Sequence, residues 1–373
     1  MKDPTYYDNE GYYESLGPGD QDNFESLYEE KGKKVDEERA RESYRRSFED
    51  GPEAEYHLFR DIVNAFSSGK AGFEAILVNP LYEFGEARAE VLLAKPQSNS
   101  VHLCFVSCEV GGHDYMEWTE HINKTHNITN DEKALQSLKT HIKCSSLKIG
   151  TIQFITVVRD IDLPDADVNI LKSGTNPEYY AIWELIRSAE YNELKGEMEE
   201  AKTIKYYDGD MAVPDFRNIC QQGIDPMAAE NDDIKYSLQS HPVFPLGEVC
   251  LALYLDKLGA DDNPKEFYRS QFQQSYLDSI HFGNNRGAMD PIAESKVDEL
   301  IEFGLNIGVF KNDSDTVDER EFKIMWGSED AGDIKPMVKR KYIGSKVPEE
   351  KGQIAFTLAK EDFEPEEHTF DDF

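Results

Sequence analysis

Residues 85–111 read GEARAEVLLAKPQSNSVHLCFVSCEVG, and this stretch decides how the chain around it is read. Two apolar runs, Arg88 to Ala94 and Val101 to Val110, are separated by the Pro, Gln, Ser and Asn residues of 96–100. Each run is short, rich in Val, Leu and other strand-favouring residues, and bounded by breakers, which predicts two β-strands. Each also carries one acid near an end, Glu90 in the first and Glu109 in the second.

Working outward, Phe73 to Val78 is a third strand-like run. Ahead of it, Leu58, Phe59, Ile62, Val63 and Phe66 follow the i, i+3, i+4, i+7 pattern of an amphipathic helix over 53–67, with Gly69 as its stop. Downstream, Leu135, Leu138 and Ile142 predict a helix over 130–144, and Ile152 to Val158 another strand. The order helix, three strands, helix, strand predicts an α/β domain built in layers. Beyond Pro177, the stretch from Tyr179 reads either as a helix to Met198 or as a further strand to Ile186. Residues 201–240 carry several breakers and read as a connector.

A second patterned block follows. Leu246 to Leu258, Pro264 to Leu277 and Pro291 to Phe303 predict three helices, and Ile307 to Phe310 and Phe322 to Trp326 two short strands. Three helices followed by a two-stranded wing resemble a winged-helix domain. Residues 1–50 lack a sustained period and predict a disordered acidic segment, with a short charged helix at 36–49. The expected organisation is therefore 1–50 disordered, 51–200 an α/β domain, 201–240 a connector, 241–330 a mainly helical winged-helix-like domain, and 331–373 a basic island with an acidic tail.

Charge dominates the composition. The 373 residues hold 74 Asp and Glu against 40 Lys and Arg, a formal net charge of -34. Self-repulsion on this scale disfavours a compact state in dilute buffer, and concentrated salt removes the penalty, the Debye length falling to about 3 Å at 1 M. A protein of a salt-accumulating cytoplasm, or of a mobile element in one, is the expected source; a DNA mimic and an acidic interaction protein are the competing readings. Hydrophobic residues at 39% and aromatics at 11% suffice for real cores. The start, MKDPTYYDNEGYY, carries no secretory signal, and no apolar run reaches membrane-spanning length. Five cysteines without paired CxxC spacing read as reduced thiols, consistent with a cytoplasmic location. No GxGxxG, GxxxxGK[ST], HExxH or GxSxG motif supports nucleotide, zinc-protease or α/β-hydrolase chemistry.

The order of elements in 53–158, with Glu90 at the second strand and Glu109 closing the third, resembles the restriction-endonuclease-like, or PD-(D/E)xK, nuclease superfamily. That resemblance implies an αβββαβ core in which Glu90 and Glu109 take the places of the two motif acids and Glu55 that of an extra acid on the first helix. It also implies metal-dependent phosphodiester hydrolysis with Mg²⁺ held by Glu55, Glu90 and Glu109. Converging carboxylates suit such a cation, which activates water and stabilises the leaving oxygen. The motif is incomplete, because the lysine position two residues after Glu109 is Gly111. Lys139 and Lys143 on the following helix are the candidates to supply that cation. In the competing reading, Glu90 and Glu109 are exposed strand-end acids in a chain full of them, and the protein is a non-catalytic adaptor.

Two further features bear on partners. Lys335, Lys339, Arg340, Lys341 and Lys346 form a basic island with no acid inside it, suited to phosphate contacts with a nucleic acid; the alternative is an internal partner for the acidic surface. The third helix of the second block carries Glu294, Asp298, Glu299 and Glu302 against Lys296, a composition that argues against its reading DNA and suits protein docking. His113, His121 and His126 with Cys108 suggest a loop-borne zinc site, against the plainer reading of surface histidines near a helix start. Oligomeric state is not legible.

Overall fold

The computed structural model describes residues 2–9, 11–67, 69, 72–81, 84, 89–111, 115–142, 144–162, 168–192, 197–226, 234–258, 266–279, 286–312, 321–325 and 330–363. They divide into two compact units, one made of residues 1–49 and 336–373, the other of residues 50–335.

In the larger unit the expected elements form close to where the patterns put them. Helix α4 (Ala54–Ala65) buries Leu58, Phe59, Ile62 and Val63. Strands β1 (Glu74–Val78), β2 (Val91–Pro96) and β3 (Ser100–Glu109) form an antiparallel meander. Helices α5 (Tyr115–Thr129) and α6 (Glu132–His141) lead to β4 (Lys148–Arg159), which pairs parallel to β3. Helix α7 (Val168–Gly174) leads to β5 (Tyr180–Asn192), parallel to β4, and β6 (Glu197–Gly209) closes the sheet antiparallel to β5. The six strands lie in sequence order, and the fold class is mixed α/β.

Alternation along the strands separates the two faces. Val101, Leu103 and Phe105 of β3, Phe154 and Val158 of β4, and Tyr180 and Ile182 of β5 pack with Trp118 and Ile122 of α5, Leu138 of α6, and Val168 and Leu171 of α7. Trp183, one residue on from Ile182, instead meets Phe66 after α4 and Phe216 of α8 (Pro214–Gln222). The sheet is thus sandwiched between α5–α7 and α4 with α8. Of the two readings open beyond Pro177, Tyr180–Asn192 takes the strand. The connector expected over 201–240 is corrected, since Glu197–Gly209 is the last strand of the sheet and α8 packs on it.

The rest of this unit contains α9 (Val243–Leu258), β7 (Glu266–Tyr268), α10 (Arg269–Ser279), α11 (Arg286–Asn306), β8 (Phe310–Asn312) and β9 (Glu321–Ile324). The strands form an antiparallel sheet in the order β7-β9-β8. β7 occupies a stretch expected to start a helix. Its single inward residue, Phe267, packs against Phe272, Phe310 and Phe322, with ring centroids 5.7, 5.0 and 5.4 Å away. That burial outweighs the helix propensity of the flanking residues.

The smaller unit overturns the expectation of disorder at the N-terminus. Helices α1 (Tyr12–Ser15), α2 (Pro18–Lys34) and α3 (Glu37–Phe48) pack with α12 (Ile334–Asp362). Their core is largely aromatic, with Tyr7, Tyr13, Phe24, Tyr28 and Phe356 all buried. The basic island therefore lies on a helix. The acidic tail from 364 onward lies outside the described residues. Among the described residues no helix is long and apolar enough to cross a membrane.

Candidate functional site

Both strand-end acids are buried, Glu90 to 2% and Glu109 to 4% exposure. Carboxylates are almost never fully buried without partners, and this chain has abundant surface on which to place acids. Glu90 precedes β2 and is fixed on three sides. Its backbone N–H donates to Val106 O at 3.0 Å, and its carbonyl accepts from Asn79 N–H at 3.0 Å. Its Oε2 accepts from the Cys108 N–H at 2.9 Å. Glu90 therefore reaches across β3 to the residue that directly precedes Glu109.

Glu109 is the last residue of β3, opposite Val158 in the parallel ladder. By alternation it shares the α5-facing side with Ser107, which is buried beside it. The same end of the sheet holds two more buried polar groups, Thr156 and Tyr180, joined by a 3.1 Å hydrogen bond from the Tyr180 hydroxyl. Burial pushes the Tyr180 hydroxyl well above its ordinary pKa and the Glu109 charge adds to the shift, against the opposing effect of Thr156. Just beyond, Arg159 donates through Nη2 to Asp162 at 2.8 Å, a buried pair closing β4. Polar side chains thus collect around the carboxyl ends of β3 and β4 and the neighbouring start of β5; open α/β sheets place their ligand sites at the carboxyl ends of strands.

Helix α5 contributes His121, which by sequence reads as a surface histidine or a zinc ligand. Trp118, Ile122, Thr125 and Thr129 are buried and follow the helical repeat. His121 stands three residues after Trp118 and so shares the sheet-facing side. Its Nδ1 lies 3.9 Å from Glu109 Oε1 and its Nε2 lies 3.6 Å from Glu117 Oε1. The Trp118–Ile122–Thr125–Thr129 spacing carried the signal; the polar residues between them obscured it.

The remaining expected site residues are dispersed. Glu55, on α4, lines a pocket of about 280 Å³ with Glu90, Tyr56, Phe59 and the segment Ser237–Pro242. That segment is held by Asn79, whose Oδ1 accepts from Leu238 N–H at 2.6 Å and whose backbone takes a left-handed φ of 46°. Lys139 sits on α6, partly exposed and outside any ion pair among the described residues; Lys143 lies outside the described residues. Among the described residues no group of three His, Cys, Asp or Glu side chains is placed to hold a metal ion. His126 packs edge-on against Phe154 at 5.5 Å, and His113 lies outside the described residues. Cys104 and Cys108 are buried free thiols on the opposite face of β3 from Glu109, and burial pushes the Cys104 thiol well up.

The basic island is largely spoken for. Lys335 pairs with the buried Glu248, Lys339 with Glu49 at 3.0 Å, and Lys346 with Glu349 at 2.9 Å. Arg340 is exposed and Lys341 half-buried. Comparison with known protein families, with curated proteins and with solved structures finds no match to this chain.

Proposed function

We propose that this chain is a nucleic-acid-associated protein of a salt-adapted cytoplasm, built on a restriction-endonuclease-like core and a winged-helix module, whose core hydrolyses phosphodiesters with a divalent cation. The observation that carries the reading is the burial of Glu90 and Glu109, tied together through the Cys108 amide at the end of β3. Exposed acids at those two positions would have counted against it. The strand order β1-β2-β3-β4, with β4 parallel to β3 behind a helical crossover, supports the core assignment. The sheet order β7-β9-β8 threaded through α9, α10 and α11 supports the winged-helix assignment.

Glu90 and Glu109 would hold the cation. Mg²⁺ takes one or two carboxylates, keeps several waters and completes its shell with substrate phosphate, so two acids suffice without Glu55. When bound, the cation supplies a more acidic water and charge stabilisation at the phosphate. The protein's own part is to hold the two acids rigidly in the sheet and to keep the surrounding end of it dry.

The test is cleavage of labelled single- and double-stranded DNA and RNA across about 0.2–3 M KCl, with Mg²⁺ or EDTA, beside Glu109→Ala. Metal-dependent cutting that disappears in the variant is the expected result; undiminished cutting by Glu109→Ala sinks the assignment. A second reading, a non-catalytic adaptor, is favoured by one feature: α11 turns Glu294, Asp298, Glu299 and Glu302 to solvent, a face suited to a basic protein partner. A folded chain that neither binds nor cuts nucleic acid would favour it and turn the search to protein partners.

A further inference from the structure

We infer that His121 supplies the phosphate-facing donor that the nuclease-like core lacks at Gly111. The inference rests on the reading of Glu90 and Glu109 as the acidic pair. Gly111 lies past the end of β3 with a left-handed φ of 81°. A lysine there would meet the strain that side chains suffer in that region and would no longer follow the strand alternation that aims it beside Glu109. The donor therefore has to come from another element.

His121 is that element's residue. Helix α5 turns it toward the sheet with Trp118 and Ile122, and its Nδ1 lies 3.9 Å from Glu109 Oε1. That nitrogen is buried and has no hydrogen-bond partner among the described residues. A buried polar nitrogen left unsatisfied is costly, so the arrangement calls for a group that enters beside Glu109. Glu117 Oε1 stands 3.6 Å from the other ring nitrogen and holds the imidazole from the outside. An oxygen of a bound phosphodiester, placed next to Glu109, accepts from the inward N–H. Hydrolysis forms a P–O bond to the water oxygen, whose proton passes to solvent, and breaks the P–O bond to the leaving oxygen, which keeps the electron pair and takes a proton from solvent. The imidazole keeps its proton throughout and acts only as a donor to a non-bridging oxygen.

The test compares wild type, His121→Ala, His121→Lys, His121→Gln and Glu109→Gln in single-turnover cleavage and in gel-shift on the same labelled DNA with Mg²⁺. Loss of one preorganised donor to a developing anion lowers the rate about 100-fold or more, so His121→Ala is expected to bind DNA and cut it at least about 100-fold more slowly. His121→Lys restores most of the rate, because a lysine can donate from the same helix face. His121→Gln guards against misfolding by keeping a polar group in place. If wild type cuts, Glu109→Gln does not, and His121→Ala cuts within about threefold of wild type, far short of a donor's worth, the inference about His121 is overturned while the acidic pair stands. A rate lost in His121→Ala and not restored by His121→Lys also overturns the donor role. No cutting by the wild-type chain overturns the acidic-pair reading, and His121 with it.

Discussion

Two groups of carboxylates in the larger unit invite comparison. Glu294, Asp298, Glu299 and Glu302 lie along α11 with their side chains in water, where Asp298 engages Arg269 at 2.7 Å and Glu299 engages Lys296 at 2.6 Å. Glu90 and Glu109 stand at strand ends that are almost closed to solvent. The first group behaves as acids of a surface do, since exposed ion pairs contribute about 0–1 kcal/mol and salt screens what remains. The second group has been withdrawn from water in a chain whose net charge of -34 leaves no shortage of acids elsewhere. Burial separates the candidate site from the exposed acids of α11; Asp61, Asp162 and Glu248 are buried as well, each in an ion pair.

The comparison can be broken by substitution. Glu90→Ala removes the acceptor of the Cys108 N–H and leaves a buried donor unsatisfied, which costs about 1–3 kcal/mol; Glu90→Gln keeps an acceptor and should lose less. Urea unfolding of the full chain reads both, and a Glu90→Ala variant as stable as wild type would return Glu90 to the surface acids. Glu302→Gln, on the exposed face of α11, should change stability by no more than about 0.5 kcal/mol. The small effect of Glu302→Gln should shrink further as KCl is raised to about 1 M, where the Debye length is about 3 Å, whereas the loss in Glu90→Ala should persist.

Which parts of this were legible in the sequence follows from where the side chains point. The strands around Glu90 and Glu109 announced themselves because short Val- and Leu-rich runs sit between breakers, and α4 did because five apolar residues share one face. Helix α5 was missed because two of its inward positions are Thr125 and Thr129, which read as polar, and with it His121 was misjudged. β6 was missed because its composition, EMEEAKTIKYYDG, is that of an edge strand with charges on it, a pattern that blunts the edge against further pairing. The N-terminal helices were hidden for a tertiary reason. Tyr7, Tyr13, Phe24 and Tyr28 form a core only with Val347, Ala355, Phe356 and Ala359 from α12, more than three hundred residues along the chain, and no local pattern records that pairing. The pairing of the basic island was hidden for the same reason, because the acids that pair with Lys335 and Lys339, Glu248 and Glu49, are distant in sequence.

The claim that Glu90 and Glu109 form a cation site is tested most directly by thermal unfolding of the full chain with Mg²⁺ titrated at about 1 M KCl, where loose counterion binding to the acidic surface is screened. A ligand that binds only the folded state raises its stability by about 2.7 kcal/mol at a hundred times its dissociation constant. The account predicts a saturable rise in Tm for wild type and for Glu302→Gln, and none for Glu109→Gln. An equal rise in all three chains, or no rise in wild type, would contradict it.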